Sequence, residues 1–286
     1  MIRTADIVLG IVTSTCYRHP DRATGRSCTR CGRSACPECL VTASIGSHCR
    51  ECVKAAQPSA VTRVRFWNAK QPNVATLALI AVNVIVFVIG VATGGSAVGS
   101  GSNGSLERNW SLYREAVAGG EWWRIGTSGF LHYGAMHLAF NMFALWQLGG
   151  MLERSLGRAR FAMLYVASLF AGAAGVLALQ RFGIQQGAHG GASGAIFGLF
   201  GALAAGLRAR GASLMKSGIG PTLLINVVLT LSLGLSIGGH LGGFLGGAII
   251  GYVMMAPPGR FTAQIRTAMP VIVGLASVAI ALIAAR

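Results

Sequence analysis

From residue 74 onward, long apolar segments alternate with short polar connections. The segments approach or reach the length of about 20 residues that an α-helix needs to cross the hydrocarbon core of a bilayer. We therefore predict an all-α polytopic membrane domain over residues 74–286. The seven predicted spans are residues 74–92, 134–151, 160–179, 192–207, 219–236, 239–256 and 269–285.

The first 73 residues contain no comparable segment. Residues 1–15 fit neither neighbouring region, and we predict that they are disordered. All seven cysteines lie within residues 16–52, which indicates a small separate module. Residues 53–73 carry basic and aromatic side chains, a composition that suits the lipid headgroup layer and suits an ordinary linker almost as well.

Composition supports the membrane class. Of the 286 residues, 53% are hydrophobic and only 11% are charged. The net charge of +16 would suit nucleic-acid binding, but beyond the cysteine module the basic residues mostly flank the apolar segments. That distribution is typical of a topology signal, so we expect no nucleic-acid partner.

The same charges predict an orientation. Eleven basic residues lie at one set of span ends, and five lie at the other. Cytoplasmic loops carry an excess of Lys and Arg. We therefore predict a multi-pass protein of the plasma membrane, with its N-terminus in the cytosol and its C-terminus outside.

The cysteine module has the spacing of a metal site. An odd number of cysteines in a cytosolic module argues against disulfides. Four pairs of ligands suffice for two tetrahedral zinc ions, which would supply folding energy to a module too short for a large core. Sequential and interleaved pairing both stay open, as does His48 in place of Cys49. The pairs are Cys16-x2-His19, Cys28-x2-Cys31, Cys36-x2-Cys39 and Cys49-x2-Cys52.

Polar side chains cluster at the starts of the even-numbered predicted spans. With the N-terminus inside, those spans run from outside to inside, so these side chains share a depth near the outer surface. Each alone has an ordinary explanation, because a serine among glycines usually serves helix packing. Together they predict one site, since polar groups inside a membrane are costly. The residues are His132, His137, Asn141, Ser193 and His240.

The chemistry of this set is that of acyl transfer. A serine hydroxyl becomes a nucleophile when a neutral histidine takes its proton. No Asp or Glu follows Glu153 in the sequence, so we predict a Ser193–His240 dyad rather than a triad. A helix N-terminus at Ser193 favours negative charge, and His137 and Asn141 can add donors to an oxyanion.

These residues fall in ordered motifs over roughly residues 74–256. The motifs are Trp123-Arg124, His132 with His137-x3-Asn141, Gly191-x-Ser193-Gly194, and His240-x2-Gly243-x3-Gly247. On these motifs the chain resembles the rhomboid family of intramembrane serine proteases. The resemblance implies the bacterial six-plus-one layout, a six-helix bundle followed by a C-terminal seventh span. The cysteine spacing separately resembles B-box or RING-like modules, in which the ligand pairs interleave.

The rhomboid resemblance implies specific roles and partners. Ser193 would be the nucleophile and His240 the general base, while His137, Asn141 and the backbone N–H of Ser193 would form the oxyanion hole. Gly191, Gly194 and His132 would support that site. The family cuts membrane-anchored proteins in or near their transmembrane segments, and no cofactor is needed for the catalysis.

The chain differs from many family members at two sites in the membrane domain. A Glu-x-Arg pair reads Glu153-Arg154-Ser155 here, and a Tyr that stacks on the base histidine is Phe197. An alternative reading is a non-catalytic rhomboid-like protein that binds or chaperones transmembrane clients, but such members typically lack the serine or the histidine. For the zinc module we expect a cytosolic protein partner.

Overall fold

The computed structural model describes residues 14–58, 62, 72–99, 104–213, 215, 220–221, 223–225 and 236–286. The described residues form two compact units, one on each side of residue 66. Of the predicted regions, residues 1–13, most of the linker 53–73 and most of the fifth span, 219–236, lie outside this description.

The N-terminal unit consists of two small antiparallel hairpins followed by one short helix. Strand β1 (Ser14–Cys16) pairs with β2 (His19–Thr24), and β3 (Leu40–Thr42) pairs with β4 (Ser47–Cys49), after which α1 spans Arg50–Ala56. Its interior is made largely of cysteine side chains rather than of large apolar groups. The buried cysteines are Cys16, Cys28, Cys36, Cys39 and Cys49.

Among its described residues, the second unit contains helices joined by loops and no β-strand. Four of its helices, α2, α7, α9 and α10, are long and apolar enough to cross a membrane. The predicted all-α class is therefore confirmed, and the chain is a multi-pass membrane protein. The helices are α2 (Val74–Ala92), α3 (Ser105–Trp110), α4 (Arg114–Ala118), α5 (Arg124–Thr127), α6 (Ala135–Leu156), α7 (Arg158–Arg181), α8 (Ser193–Ala209), α9 (Ile237–Met255) and α10 (Ala263–Ala285).

Two helices, α6 and α10, extend furthest beyond the apolar segments that predicted them. Helix α6 continues to Leu156, past the predicted end at residue 151. Its last turns carry polar side chains, so they are helical without belonging to the apolar segment. Helix α10 begins at Ala263, where the Thr262 side chain accepts a hydrogen bond from the Ile265 N–H, and it continues through Pro270. Hydropathy alone underestimates such polar ends.

Glycines bring α8 and α9 into backbone contact. A Cβ atom on Gly243 would overlap the carbonyl oxygen of Gly194, and one on Gly247 would overlap that of Gly198. Since no side chain separates the two helices, their relative register is fixed within a turn. This contact positions Ser193, which begins α8, opposite the first turns of α9.

The loop between α2 and α6 is folded around one buried arginine. The Arg124 side chain is 2% exposed. It donates to the carbonyl oxygens of Arg108 and Ser111 at 2.8 Å each, and it forms an ion pair with Glu121. Trp123 donates from Nε1 to the Asn109 carbonyl at 3.2 Å. The Trp-Arg motif therefore organises this loop.

A buried carboxylate ties α6 to the start of α2. Glu153 is 4% exposed and accepts from the backbone N–H groups of Ala75 and Thr76 at 2.9 and 2.8 Å, and from the Thr76 hydroxyl at 2.7 Å. The first N–H groups of a helix lack partners within the helix, so Glu153 caps α2 from a distance. Nε of Arg158 lies 4.0 Å from Oε1 of Glu153, and the Arg158 side chain is half exposed.

Candidate active site

Ser193 and His240 lie within hydrogen-bond distance. Ser193 Oγ is 2.9 Å from His240 Nε2, so the hydroxyl can donate to a neutral imidazole. Ser193 begins α8, and His240 lies in the first turn of α9 and is only 6% exposed. The separation is that of a nucleophile and its general base.

Phe197 fixes the ring of His240 from one side. The two rings are stacked, with centroids 4.0 Å apart and planes inclined by 9°. Phe197 lies one helical turn after Ser193, so one face of α8 carries both the hydroxyl and the stacking ring. The stacking expected of the family's tyrosine is preserved by the phenyl ring.

His137 faces Gly191, two residues before Ser193. A Cβ atom on Gly191 would lie 3.0 Å from His137 Nε2, and the φ angle of Gly191 is +138°, so this position favours glycine on both counts. The backbone N–H of Tyr133 lies 3.4 Å from His137 Nδ1 and donates to it. In the neutral ring the proton is then on Nε2, the nitrogen that faces Gly191.

Asn141 and His132 lie next to His137. The Asn141 side chain is buried and donates from Nδ2 to the His137 carbonyl at 2.9 Å. The His132 ring is 5.0 Å from the His137 ring, and its Nδ1 is 3.3 Å from the Phe130 carbonyl. His132 Nε2 is buried and has no hydrogen-bond partner among the described residues.

Loop contacts that the sequence did not indicate hold the segment before Ser193. His189 and Leu112 exchange two backbone hydrogen bonds of 2.8 Å, and the Gly191 N–H donates to the Ser128 carbonyl at 2.9 Å. These bonds join residues more than 60 positions apart, so no local motif could have predicted them. They hold the backbone that leads into the nucleophile.

Two cavities of the membrane domain differ in size and lining. A cavity of about 40 Å³ adjoins Ser193 and is lined by Ser128, His189 and Ser236, which is room for water beside the serine. A far larger apolar cavity of about 580 Å³ lies between α2, α7, α10 and the loop that joins α2 to α6. Ser193 does not line this cavity. Its lining of valine, phenylalanine and tryptophan is that of a surface in contact with lipid.

In the N-terminal unit the eight predicted ligands form two separate clusters. Within each cluster one ligand atom from every residue lies within 4.8 Å of the others. The pairing is interleaved, first pair with third and second with fourth, and the second cluster contains Cys49 rather than His48. The clusters are Cys16, His19, Cys36 and Cys39, and Cys28, Cys31, Cys49 and Cys52.

Two of these thiols are biased toward the thiolate that binds metal. Burial raises the pKa of Cys16, but hydrogen bonds from backbone N–H groups outweigh it, and the pKa lies at about 6. The same balance sets the pKa of Cys28 at about 6. Thiols bind metal in their deprotonated form. With four ligand atoms within 4.8 Å of one another, each cluster can hold a metal ion.

The chain matches the family described as the rhomboid domain over residues 119–257. Residues 119–257 are a rhomboid domain. This range includes His137, Asn141, Ser193 and His240, and it confirms the resemblance drawn from the motifs. The cysteine clusters lie outside the rhomboid domain.

Curated relatives carry the same domain. The rhomboid protease GluP of Bacillus subtilis is 40% identical over 128 residues, which is 45% of this chain and 24% of that protein. The putative rhomboid protease YdcA of the same organism is 45% identical over 89 residues, 31% of this chain and 43% of that protein. The rhomboid protease GlpG of Photorhabdus laumondii is 28% identical over 135 residues, 46% and 42% of the two chains. This chain thus spans less than half the length of each of these relatives.

Proposed function

We propose that this protein is an intramembrane serine endopeptidase that cleaves membrane-anchored proteins in or near their transmembrane segments. The proposal rests above all on the 2.9 Å separation of Ser193 Oγ and His240 Nε2 within a rhomboid domain. The names of the relatives as rhomboid proteases support it.

Catalysis proceeds through an acyl-enzyme. Ser193 Oγ attacks the scissile carbonyl carbon while its proton passes to His240 Nε2. The tetrahedral intermediate collapses as His240 gives that proton to the departing amine, which leaves Ser193 acylated. Water then attacks the ester, its proton passes to His240, and the proton returns to Ser193 Oγ as the carboxyl product leaves.

Three groups stabilise the oxyanion. The backbone N–H of Ser193 belongs to the start of α8, where the helix dipole favours negative charge. His137 contributes Nε2–H, because the Tyr133 N–H occupies Nδ1. Asn141 contributes the second proton of its Nδ2, since the first is donated to the His137 carbonyl. Such donors are worth on the order of 10²–10³ in rate each.

The two cysteine clusters of the N-terminal unit would each hold one structural zinc ion. Around tetrahedral zinc, neighbouring sulfur and nitrogen ligands lie roughly 3.6 Å apart, by the usual bond lengths. His19 Nδ1 lies 3.8, 3.4 and 3.4 Å from the sulfur atoms of Cys16, Cys36 and Cys39, which fits that spacing. In the second cluster the sulfurs of Cys31 and Cys49 are 3.7 Å apart. Zinc ions there would hold the hairpins together, and the module would recruit a cytosolic partner or substrate.

The protein resides in the plasma membrane with its N-terminus in the cytosol and its C-terminus outside. The excess of basic residues at one set of span ends carries this orientation. Ser193 and His240 then lie near the outer surface, and substrates are cut at the outer end of their transmembrane segments.

Comparison of cells that express the wild-type chain or the Ser193→Ala variant tests the activity. We expect single-span proteins cut near the outer membrane surface with the wild type and intact with the variant. Identical membrane proteomes would refute the protease. Equal capture of transmembrane proteins by both chains, without cleavage, would favour the non-catalytic alternative.

A further inference from the structure

The side chain of Gln185 joins the two helices that carry the dyad. The residue is half-buried in the loop between α7 and α8. Its Oε1 accepts from the backbone N–H of Gly238 at 2.9 Å, and its Nε2 lies 3.3 Å from Nδ1 of His189. A backbone N–H can only donate, so the amide oxygen faces Gly238 and the NH₂ group faces His189.

At one end, Gln185 caps the helix of the base. Gly238 lies two residues before His240, in the first turn of α9, where N–H groups have no partner within the helix. The Ser236 hydroxyl accepts from the Gly239 N–H at 3.3 Å and the Ser236 carbonyl accepts from the His240 N–H at 3.0 Å. Gln185 satisfies the Gly238 N–H from a different segment of the chain.

At the other end, Gln185 holds the segment that leads to the nucleophile. His189 lies four residues before Ser193, and its backbone is already paired with Leu112 at 2.8 Å in both directions. Since Nδ1 of His189 accepts from Gln185, the ring is the neutral tautomer with its proton on Nε2. Burial lowers the pKa of His189, which favours the neutral ring.

We infer that Gln185 is a positioning residue, which with His189 sets the distance between His240 and Ser193 by linking the first turn of α9 to the segment before α8. The inference rests on the proposed function, because it concerns the same dyad. A nucleophile and its base work within a narrow range of distances, and a displacement on the order of 1 Å costs on the order of 10²-fold in rate. Gln185 itself touches neither reacting atom.

The rate at which a fluorophosphonate probe labels Ser193 reports on this alignment without a known substrate. The full chain in lipid vesicles is compared with Gln185→Leu, which removes both hydrogen bonds at similar volume. We expect labelling slower by about tenfold or more. The Gln186→Ala variant is the matched control, since Gln186 is the exposed neighbour in the same loop, and it should label at the wild-type rate.

Two further variants separate positioning from general loss of structure. Gln185→Glu keeps an acceptor for the Gly238 N–H but has no N–H to donate to His189, so it should give an intermediate rate. His189→Leu leaves the cap on α9 but removes its anchor, and should give an intermediate rate. A wild-type rate in Gln185→Leu, or equal losses in Gln185→Leu and Gln185→Glu, would overturn the inference. Absence of labelling in the folded wild type would instead overturn the proposed function.

Discussion

The imidazole of His240 lies flat against the phenyl ring of Phe197, with centroids 4.0 Å apart. Because Phe197 follows Ser193 by one helical turn, Ser193 and the ring that stacks on His240 belong to one rigid helix. The orientation of His240 therefore depends on packing at this position and needs no hydroxyl on the stacking ring.

We expect Phe197→Tyr to keep activity within a few-fold of the wild type and Phe197→Leu to lose much more. Leucine removes the flat face, so the imidazole can turn away from Ser193, and misalignment of this kind costs on the order of 10²-fold. Initial rates of fluorophosphonate labelling measure the difference. Equal rates in Phe197→Leu and the wild type would show that stacking does not orient the base.

Glycine packing between α8 and α9 predicts a stability effect. Gly247→Ala introduces a Cβ that overlaps the Gly198 carbonyl, and overpacking of this kind costs about 1–3 kcal/mol. Unfolding in mixed micelles measures the loss. The control is Leu245→Ala on the exposed side of the same helix, where we expect a much smaller change. A larger loss in the control would contradict the assigned packing face.

The cap on α2 gives a second stability prediction. Glu153→Gln replaces a carboxylate that accepts three hydrogen bonds with a group that has one acceptor oxygen, which leaves buried donors unpaired at about 1–3 kcal/mol. Arg158→Gln should cost far less, because its ion pair is 4.0 Å long and half exposed. Unfolding free energies of the two variants check this order, and the reverse order would disprove the capping role.

Metal stoichiometry tests the interleaved clusters. With two zinc ions in the wild type, Cys16→Ser combined with Cys36→Ser disrupts one cluster only and should leave about one ion per chain. Cys16→Ser combined with Cys31→Ser disrupts both clusters and should leave close to none. Metal analysis of reduced, folded protein distinguishes these results. Similar metal content in the two double variants would contradict the pairing.

The sequence predicted the helices and the dyad because both leave local patterns. Apolar runs indicate helices directly, and Ser193 and His240 lie in short motifs with glycines at helical spacing. The distribution of basic residues predicted that both lie at one depth. The rhomboid resemblance followed from the order of these motifs along the chain.

Contacts between distant segments were not predictable in the same way. Gln185 caps a helix 53 positions later, and Glu153 binds backbone N–H groups 77 and 78 positions earlier. Their partners are backbone atoms, which every residue type carries, so the sequence of the partner gives no signal. The interleaved cysteine pairing was left open for a related reason, since equal spacing in all four pairs favours no combination.

In the proposed mechanism, His240 activates Ser193. The most direct measurement is mass spectrometry of the folded wild-type chain after reaction with a fluorophosphonate, with the Ser193→Ala and His240→Ala variants in parallel. We predict one phosphonylated residue, Ser193, in the wild type, no adduct at position 193 in Ser193→Ala, and little or none in His240→Ala. An unmodified Ser193 in the folded wild type, or equally rapid modification of Ser193 in His240→Ala, would contradict it.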